Sequence, residues 1–435
     1  MKRNIRVVGA IALAAATAML AAGCSSGGSG GSGGSGDSGG KVSMSLWDNA
    51  TTGPGAAFWK SAVKDFESTH KNVTIKIQTV QNEDFDGKLQ TALNSGDAPD
   101  IFMQRGGGKM AAMVDAGQLQ DLTNSVDAAT KKAVGEGAFK SQSIGGKLYA
   151  MPQTVGPEGI YYSKDLFAKA GIDAVPKTID ELNSAVSKLK AIGVAPVAVG
   201  AKDAWPAAHW YYNFALRECS KATLDKAAST LKFDNSCWVK AGDDLKKFAD
   251  TDPFNQGFLT TSAQQGAGSS AGLIATHKAG MELMGSWDPG TIASLTADQK
   301  PLPDLGWFPF PAISGGDGEP GAIMGSVGGN SCSAKAPKEC AEFLNYLATK
   351  KSQEAYYKAF NAIPVNKEAQ GLITESYLKD SIVEFNKAPY ASQFLDTLYG
   401  QNVGNALNVG VVNMLAGKGS PADIIKAVNQ AAAKG

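Results

Sequence analysis

The feature that most constrains this chain is a switch of hydrophobic period that begins at Val42 and repeats. Val42 to Trp47 alternates apolar and polar residues, the two-residue period of a strand. Phe58, Trp59, Ala62, Val63 and Phe66 then recur at three- and four-residue spacing, which places an apolar stripe on one face of a helix. Val73, Ile75 and Ile77 return to the strand period. Phe85, Leu89, Ala92 and Leu93 mark a second helix stopped by Gly96, and Ile101-Phe102-Met103 reads as a short buried strand. Strand, helix, strand, helix, strand predicts a parallel sheet covered by helices, an α/β lobe.

The rhythm resumes after Gly145-Gly146-Lys147. Tyr149 to Pro152 and Gly159 to Tyr162 read as two extended segments, with Glu158 in a loop between them. Ser163 caps a helix carrying Leu166, Phe167 and Ala170 that ends at Gly171. Thr178 and Glu181 form a capping box ahead of Leu182, Ala185, Val186 and Leu189, and Val194 to Val199 is the strand that follows. A second α/β lobe therefore begins near residue 152, with no sequence repeat relating it to the first. Ser420 before Pro421 opens a last helix with Ile424, Ile425 and Val428 behind it.

Ahead of this body, Lys2, Arg3 and Arg6 precede an apolar run from Val7 to Ala22, which ends in small residues. That is the layout of an export signal over residues 1–23. Gly9, Thr17 and the lack of stop-transfer charges behind the run argue against a retained membrane span. The ending Leu20-Ala21-Ala22-Gly23-Cys24 resembles the lipobox of bacterial lipoproteins, with Leu20 one place further out than usual. The resemblance implies a lipid on Cys24 that anchors the chain to the outer face of the cell membrane. Residues 24–40 then form a Gly/Ser tether, a flexible coil with a reach of about 20 Å.

Charge bears on partners. Lys and Arg number 41, three of them in the export signal, against 41 Asp and Glu, and no basic block stands out, so nucleic acid is not expected as a partner. At 435 residues the chain is too long for one ordinary core and long enough for two domains. The four cysteines besides Cys24 allow three pairings, and the local one, Cys219 with Cys237 and Cys332 with Cys340, is expected in an oxidising compartment. Neither spacing is C-x2-C, and His70, His209 and His277 are scattered, so neither a metal nor an organic cofactor is expected.

Several stretches, in order, are similar to the extracellular solute-binding proteins of sugar ABC importers, the family of maltose- and oligosaccharide-binding proteins. They are Asn94 to Phe102 before Gly106-Gly107-Gly108, Gly146 to Pro152 before Ile160 to Lys164, Lys202 to Pro206, Gly280 to Trp287, and Ala362 to Val365. The resemblance covers nearly all of the chain after Lys41. It implies a two-lobe periplasmic-binding-protein-like fold with a ligand cleft at the hinge. Residues 41–150 and 319–361 would form the N-lobe, and residues 151–318 and 362–435 the C-lobe. It further implies a monomer that captures a small sugar or oligosaccharide and hands it to ABC permease subunits.

A sugar offers flat C–H faces and a rim of hydroxyls, so its site needs aromatic platforms and a few fixed polar groups. Trp287, after Gly285-Ser286 and before Asp288-Pro289, sits where a strand ends and is the first candidate, with Asp288 beside it. Trp205 and His209 follow another strand; Trp210, on the same helix, reads rather as core. Gln104 and Arg105 end the strand before the glycine triplet, Asp48 and Asn49 end the first strand, and Glu158 lies on the hinge side. Arg105 stands where relatives often carry an aromatic residue, and its guanidinium leaves an acidic sugar open. The candidate loops carry no acidic excess, which argues against a polycation.

The competing class is an exported carbohydrate-active hydrolase, in which two carboxylates cleave a glycoside. No motif supports it. G-x-S-x-G recurs inside the Gly/Ser tract, where it reflects low complexity, and H-E-x-x-H is absent from the sequence.

Overall fold

Strand Val42–Asp48 pairs in parallel with Val73–Thr79 on one side and with Ile101–Gln104 on the other. Helices Gly53–Thr69 and Asn82–Ser95 make the two crossovers and bury the stripes read from the sequence, Phe58 to Phe66 and Phe85 to Leu93. Gly96, at φ 84°, ends the second helix in the left-handed region that only glycine enters at no cost. Because the three strands run the same way, Asp48, Thr79 and Gln104 emerge at one edge of the sheet. The computed structural model describes residues 40–434; the export signal, Cys24 and the Gly/Ser tract through Gly39 lie outside the described residues.

Two long antiparallel strands carry this half of the sheet into another. Ile323–Cys332 pairs at its far end with Ile101–Gln104, and along its length with Met151–Ser163. Beyond Glu158 the second strand changes neighbours, pairing with Ala279–Gly285 and Leu305–Phe308, while Ala195–Ala198 runs parallel to Ala279–Gly285. Ile363–Pro364 adds a further short pairing, to Val155 and Thr154. The chain thus passes between the two halves of the sheet at these strands.

The segment read as two pieces and a loop is one strand of 13 residues, and Glu158 lies within it. The Gly156-Pro157 pair reads as a break because proline supplies no ladder donor. In the fold Pro157 sits opposite Gly325, where pairing with one neighbour ends, and pairing with the next starts at Glu158 opposite Gly285. The strand tolerates Pro157 at this exchange of partners.

Separate apolar clusters back the two halves. Met44, Phe66, Ile75, Phe343, Leu344 and Leu347 pack together on one, so the helix Glu339–Leu347 returns to the first strands. On the other, Ile160, Leu189, Val197, Trp210 and Phe214 pack with Ile424 and Val428 of the last helix, Pro421–Ala432. Each fully buried aromatic or aliphatic side chain contributes about 1.5–3 kcal/mol. The expected disulfides are present, Cys219–Cys237 and Cys332–Cys340. By loop entropy they stabilise the fold by about 3 and about 2.5 kcal/mol.

Candidate ligand-binding cleft

Four aromatic side chains from distant stretches meet beside the exchange point of the long strand. Trp205 opens helix Trp205–Glu218, one turn before His209, and their rings lie 5.0 Å apart. Trp287 follows the strand Ala279–Gly285 and lies edge-on to Trp205 at 6.2 Å. Phe394 closes the group, stacked on His209 at 4.6 Å and edge-on to Trp287 at 5.5 Å. Trp205 and Trp287 are half-buried, whereas His209 and Phe394 are buried beneath them. Ala204, immediately before Trp205, has φ 63°, a conformation that costs a residue with a Cβ about 1 kcal/mol and here sets the start of the helix.

Polar groups fix this wall from behind. Nδ1 of His209 is in hydrogen-bonding contact with Oε1 of Glu158, and Asn213 Nδ2 donates to Glu158 Oε2 at 2.7 Å. Glu158 thus has both oxygens engaged and is fully buried. The buried carboxyls of Glu282 and Asp288 meet next to Trp287 in the chain, with the Ser270 hydroxyl close to Glu282. Burial pushes Asp288 up to about 7, and burial together with Asp288 holds Glu282 well above the carboxylate range. A proton held by Glu282 and shared with Asp288 is the arrangement this demands.

The facing wall is polar and belongs to the first strands. Asp48 is buried; its Oδ1 accepts from Ala50 N–H at 2.6 Å, and its Oδ2 has no partner among the described residues. Burial raises this carboxyl to about 7, against the lowering effect of the Ala50 bond. Asn49 Nδ2 donates to Asn82 Oδ1 at 3.2 Å, and Arg105 Nη2 donates to the same oxygen at 2.9 Å. Arg105 Nε and Lys109 Nζ both donate to Asp86, each at 2.8 Å. Burial would raise Asp86, but Arg105 and then Lys109 outweigh it and hold the carboxyl far below its usual range.

The two walls touch at their ends. Gln265, in the loop tied to Asp203 through Ala263 N–H, donates to Gln81 at 3.0 Å and to Glu83 at 3.2 Å. At the other end the glycine triplet meets the segment after Phe394. A Cβ on Gly107 would lie 2.7 Å from the Thr397 carbonyl oxygen, and one on Gly108 2.7 Å from that of Leu398. Only glycine allows so close an approach of the two backbones.

The structure therefore brings Trp205, His209 and Trp287 together on one wall, and Asp48, Asn49 and Arg105 on the other. Gln104 is turned inward, its Oε1 accepting from the N–H groups of Arg105 and Gly106. Asp288 is fully buried and turned to Glu282, and Glu158 supports the aromatic group from within its strand. Trp210 is core, stacked on Phe248 at 4.9 Å. Sequence reasoning missed Phe394, Asn82 and Asp86. Asn82 and Asp86 stand in the first turns of a helix that starts at the same sheet edge as Asp48, a placement that a polar residue four positions before another could have signalled. Phe394 lies far along the chain from its partners and carries no local signal.

Two α/β halves bridged by long shared strands define the two-lobe architecture of the binding-protein type. The model of the bacterial extracellular solute-binding proteins matches residues 49–354, and the chain belongs to that family. The family consists of binding proteins acting outside the cytoplasm, not of enzymes. Among curated relatives, the diacetylchitobiose binding protein DasA of Streptomyces coelicolor is 28% identical over 384 residues, covering 84% of this chain and 83% of that protein. The multiple sugar-binding protein of Streptococcus mutans is 27% identical over 309 residues, 68% of this chain and 69% of its own length. A solved chitin oligosaccharide binding protein superposes with a TM-score of 0.81 at 24% identity, over 92% of this chain and all of that one, a likeness of fold.

Proposed function

We propose that this chain is the substrate-capturing component of an ABC sugar importer, holding a small sugar or oligosaccharide between the two walls and delivering it to the permease. The observation that carries this reading is the half-buried Trp205–Trp287 pair beside the exchange point of the long strand. Each indole offers a flat face for the C–H side of a pyranose. Trp205 Nε1 and Asp48 Oδ2 are buried polar atoms without a partner among the described residues, a donor and an acceptor suited to hydroxyls. Relatives named for diacetylchitobiose and for multiple sugars support the ligand class.

Residues 41–150 and 319–361 act as one lobe and residues 151–318 and 362–435 as the other, and the ligand favours their closed arrangement because both contact it only there. Cys24 and the tether keep the receptor within about 20 Å of the membrane that holds the permease. The test is a thermal-shift and calorimetric screen of mono-, di- and trisaccharides on the mature protein. A true ligand at 100 times its dissociation constant adds about 2.7 kcal/mol to stability. Release of shorter products from any oligosaccharide during incubation would replace this reading with that of a hydrolase.

A further inference from the structure

Strand directions show which ends of the two sheet halves look at each other. Met151–Ser163 runs from the first half into the second, and Ile101–Gln104 runs the same way, since both are antiparallel to Ile323–Cys332. Ala279–Gly285 and Ala195–Ala198 run back towards the first half. The carboxyl ends of the strands in both halves therefore point at one another. Along the main path of the sheet Val73–Thr79 stands at one end and Ala195–Ala198 at the other, with the bridging strands between them. Asp48 and Trp287 belong to the strands next inward. Gln81 lies just past Thr79, and the loop of Gln265 lies over the end of Ala195–Ala198, where a Cβ on Gly200 would come 2.5 Å from Ala263. The contact of Gln265 with Gln81 and Glu83 thus joins the two strands farthest from the bridge. It spans the mouth of the cleft, with Asp48 and Trp287 inside it.

The loop is tied together behind its tip. Ser270 N–H donates to the Ser262 carbonyl at 2.9 Å, and Ser270 Oγ to that of Ala263 at 3.0 Å. Ala263 N–H donates to Asp203 Oδ2 at 2.7 Å, two residues before Trp205, so tip and aromatic platform share one anchor. Gly266, at φ 81°, turns the chain just past Gln265. A side-chain amide carries two hydrogens, and Gln265 Nε2 gives one to Gln81 Oε1 at 3.0 Å and one to Glu83 Oε2 at 3.2 Å. A carboxylate acceptor makes the second bond the stronger kind. On the far side Gln81 and Glu83 flank Asn82, which holds Asn49 and Arg105. Each side of the contact is thereby fastened to one wall.

On the reading that the cleft takes a sugar, we infer that Gln265, with Gln81 and Glu83, is a latch across the mouth that retains the bound sugar. The latch forms when the halves close on the ligand and has to break before the ligand leaves. It therefore acts on the dissociation rate. Entry takes place through the open mouth, so the association rate does not depend on it. Gln265 is a positioning residue in this sense: it holds the walls around the sugar without being part of either platform.

The experiment is stopped-flow tryptophan fluorescence on the mature protein and on Gln265→Ala, Gln265→Glu and the double variant Gln265→Glu with Glu83→Gln. The probes are the di- and trisaccharides of glucose, galactose, xylose and N-acetylglucosamine, and rates are read on the one that the wild type binds most tightly. Gln265→Ala loses two exposed hydrogen bonds and should raise the dissociation rate about threefold or more, with the association rate unchanged within about twofold. Gln265→Glu sets a carboxylate against Glu83 and should raise it about tenfold or more, an increase that high salt reduces. Adding Glu83→Gln restores a donor across the mouth and should return the dissociation rate most of the way to that of the wild type. Equal dissociation rates in the wild type, Gln265→Ala and Gln265→Glu overturn the latch while leaving sugar binding standing. So do a change confined to the association rate and a failure of Glu83→Gln to rescue Gln265→Glu. Binding of no probe at all overturns the sugar reading and the latch with it.

Discussion

The wall formed by Trp205, His209, Trp287 and Phe394 and the facing wall of Asp48, Asn82 and Arg105 are held in place by different means. The aromatic wall draws on four separated stretches and is locked from behind by buried polar contacts, chiefly Glu158 with His209 and Asn213. The polar wall comes from the ends of adjacent strands and the start of one helix, and a largely buried ion-pair cluster holds it, Asp86 with Arg105 and Lys109. Removing one partner of a fully buried polar pair costs about 3–5 kcal/mol, and the cost falls as water reaches the remaining partner. The lesson is one of degree: the contacts behind the aromatic wall are dry, at 0% and 4% exposure for Glu158 and His209, and are the more tightly coupled to global stability, whereas Asp86 and Arg105 keep a quarter or more of their side chains exposed.

The most severe break of this asymmetry is Glu158→Ala. It leaves the imidazole of His209 and the amide of Asn213 without their acceptor in a dry site, and chemical denaturation should show a loss of about 3–5 kcal/mol. Glu158→Gln, which retains an acceptor oxygen, should lose less than half of that. If Glu158→Ala instead leaves the denaturation midpoint in place, the supposed difference between the walls is wrong.

The next test acts where the walls meet. Gly107 has φ 60°, and a Cβ there would approach the Thr397 carbonyl oxygen to 2.7 Å. Gly107→Ala should therefore cost about 2 kcal/mol through strain and separation of the two backbones. Solution scattering of this variant should show a larger radius of gyration in the presence of ligand than the wild type shows. Equal compaction would mean that the glycine contact plays no part in holding the walls together.

Much of this architecture is legible in the sequence where a local pattern corresponds to a local structure. The period changes from Val42 to Met103 specify the parallel strands and their helices, because each element buries one face that spacing reveals. Trp205 and Trp287 are legible because each stands just past a strand, where open α/β sheets bind ligands. Glu158 was misread as a loop residue, since Gly156 and Pro157 signal a break unless the change of strand partners is known. Phe394 and the pairing of Arg105 with Asp86 were not legible at all. Both depend on contacts between residues far apart in sequence or on the turn that brings a helix start over a strand end, and neither leaves a periodic trace.

A smaller effect is expected from the platform itself. Trp287→Ala removes one indole face and should weaken sugar binding at least tenfold, about 1.4 kcal/mol, as read by calorimetry. Because Trp287 is only half-buried yet touches Trp205, His209 and Phe394, some stability should also be lost, on the order of 1–2 kcal/mol. Trp287→Phe keeps an aromatic face and should recover most of the affinity. Loss of stability without loss of affinity would make Trp287 a core residue and move the platform elsewhere.

The last effect separates the buried carboxyls by their partners. Asp288, paired with Glu282, is raised by burial to about 7, and Glu282 is raised as well. In the unfolded chain such groups ionise near pH 4. Between about pH 4 and pH 7 the folded protein therefore holds protons that the unfolded chain has released, so this pair favours folding below about pH 4 and loses that contribution as pH rises towards 7. The slope is at most about 1.4 kcal/mol per pH unit for each proton retained. Asp288→Asn replaces the titrating group by an amide of the same shape that donates to Glu282. Measured against the wild type, this variant should gain in relative stability from pH 5 to pH 7 and level off above. Asp48, also near 7, continues to titrate in both proteins and cancels from the difference. A difference that stays flat from pH 5 to pH 8 would show that the pair does not retain a proton.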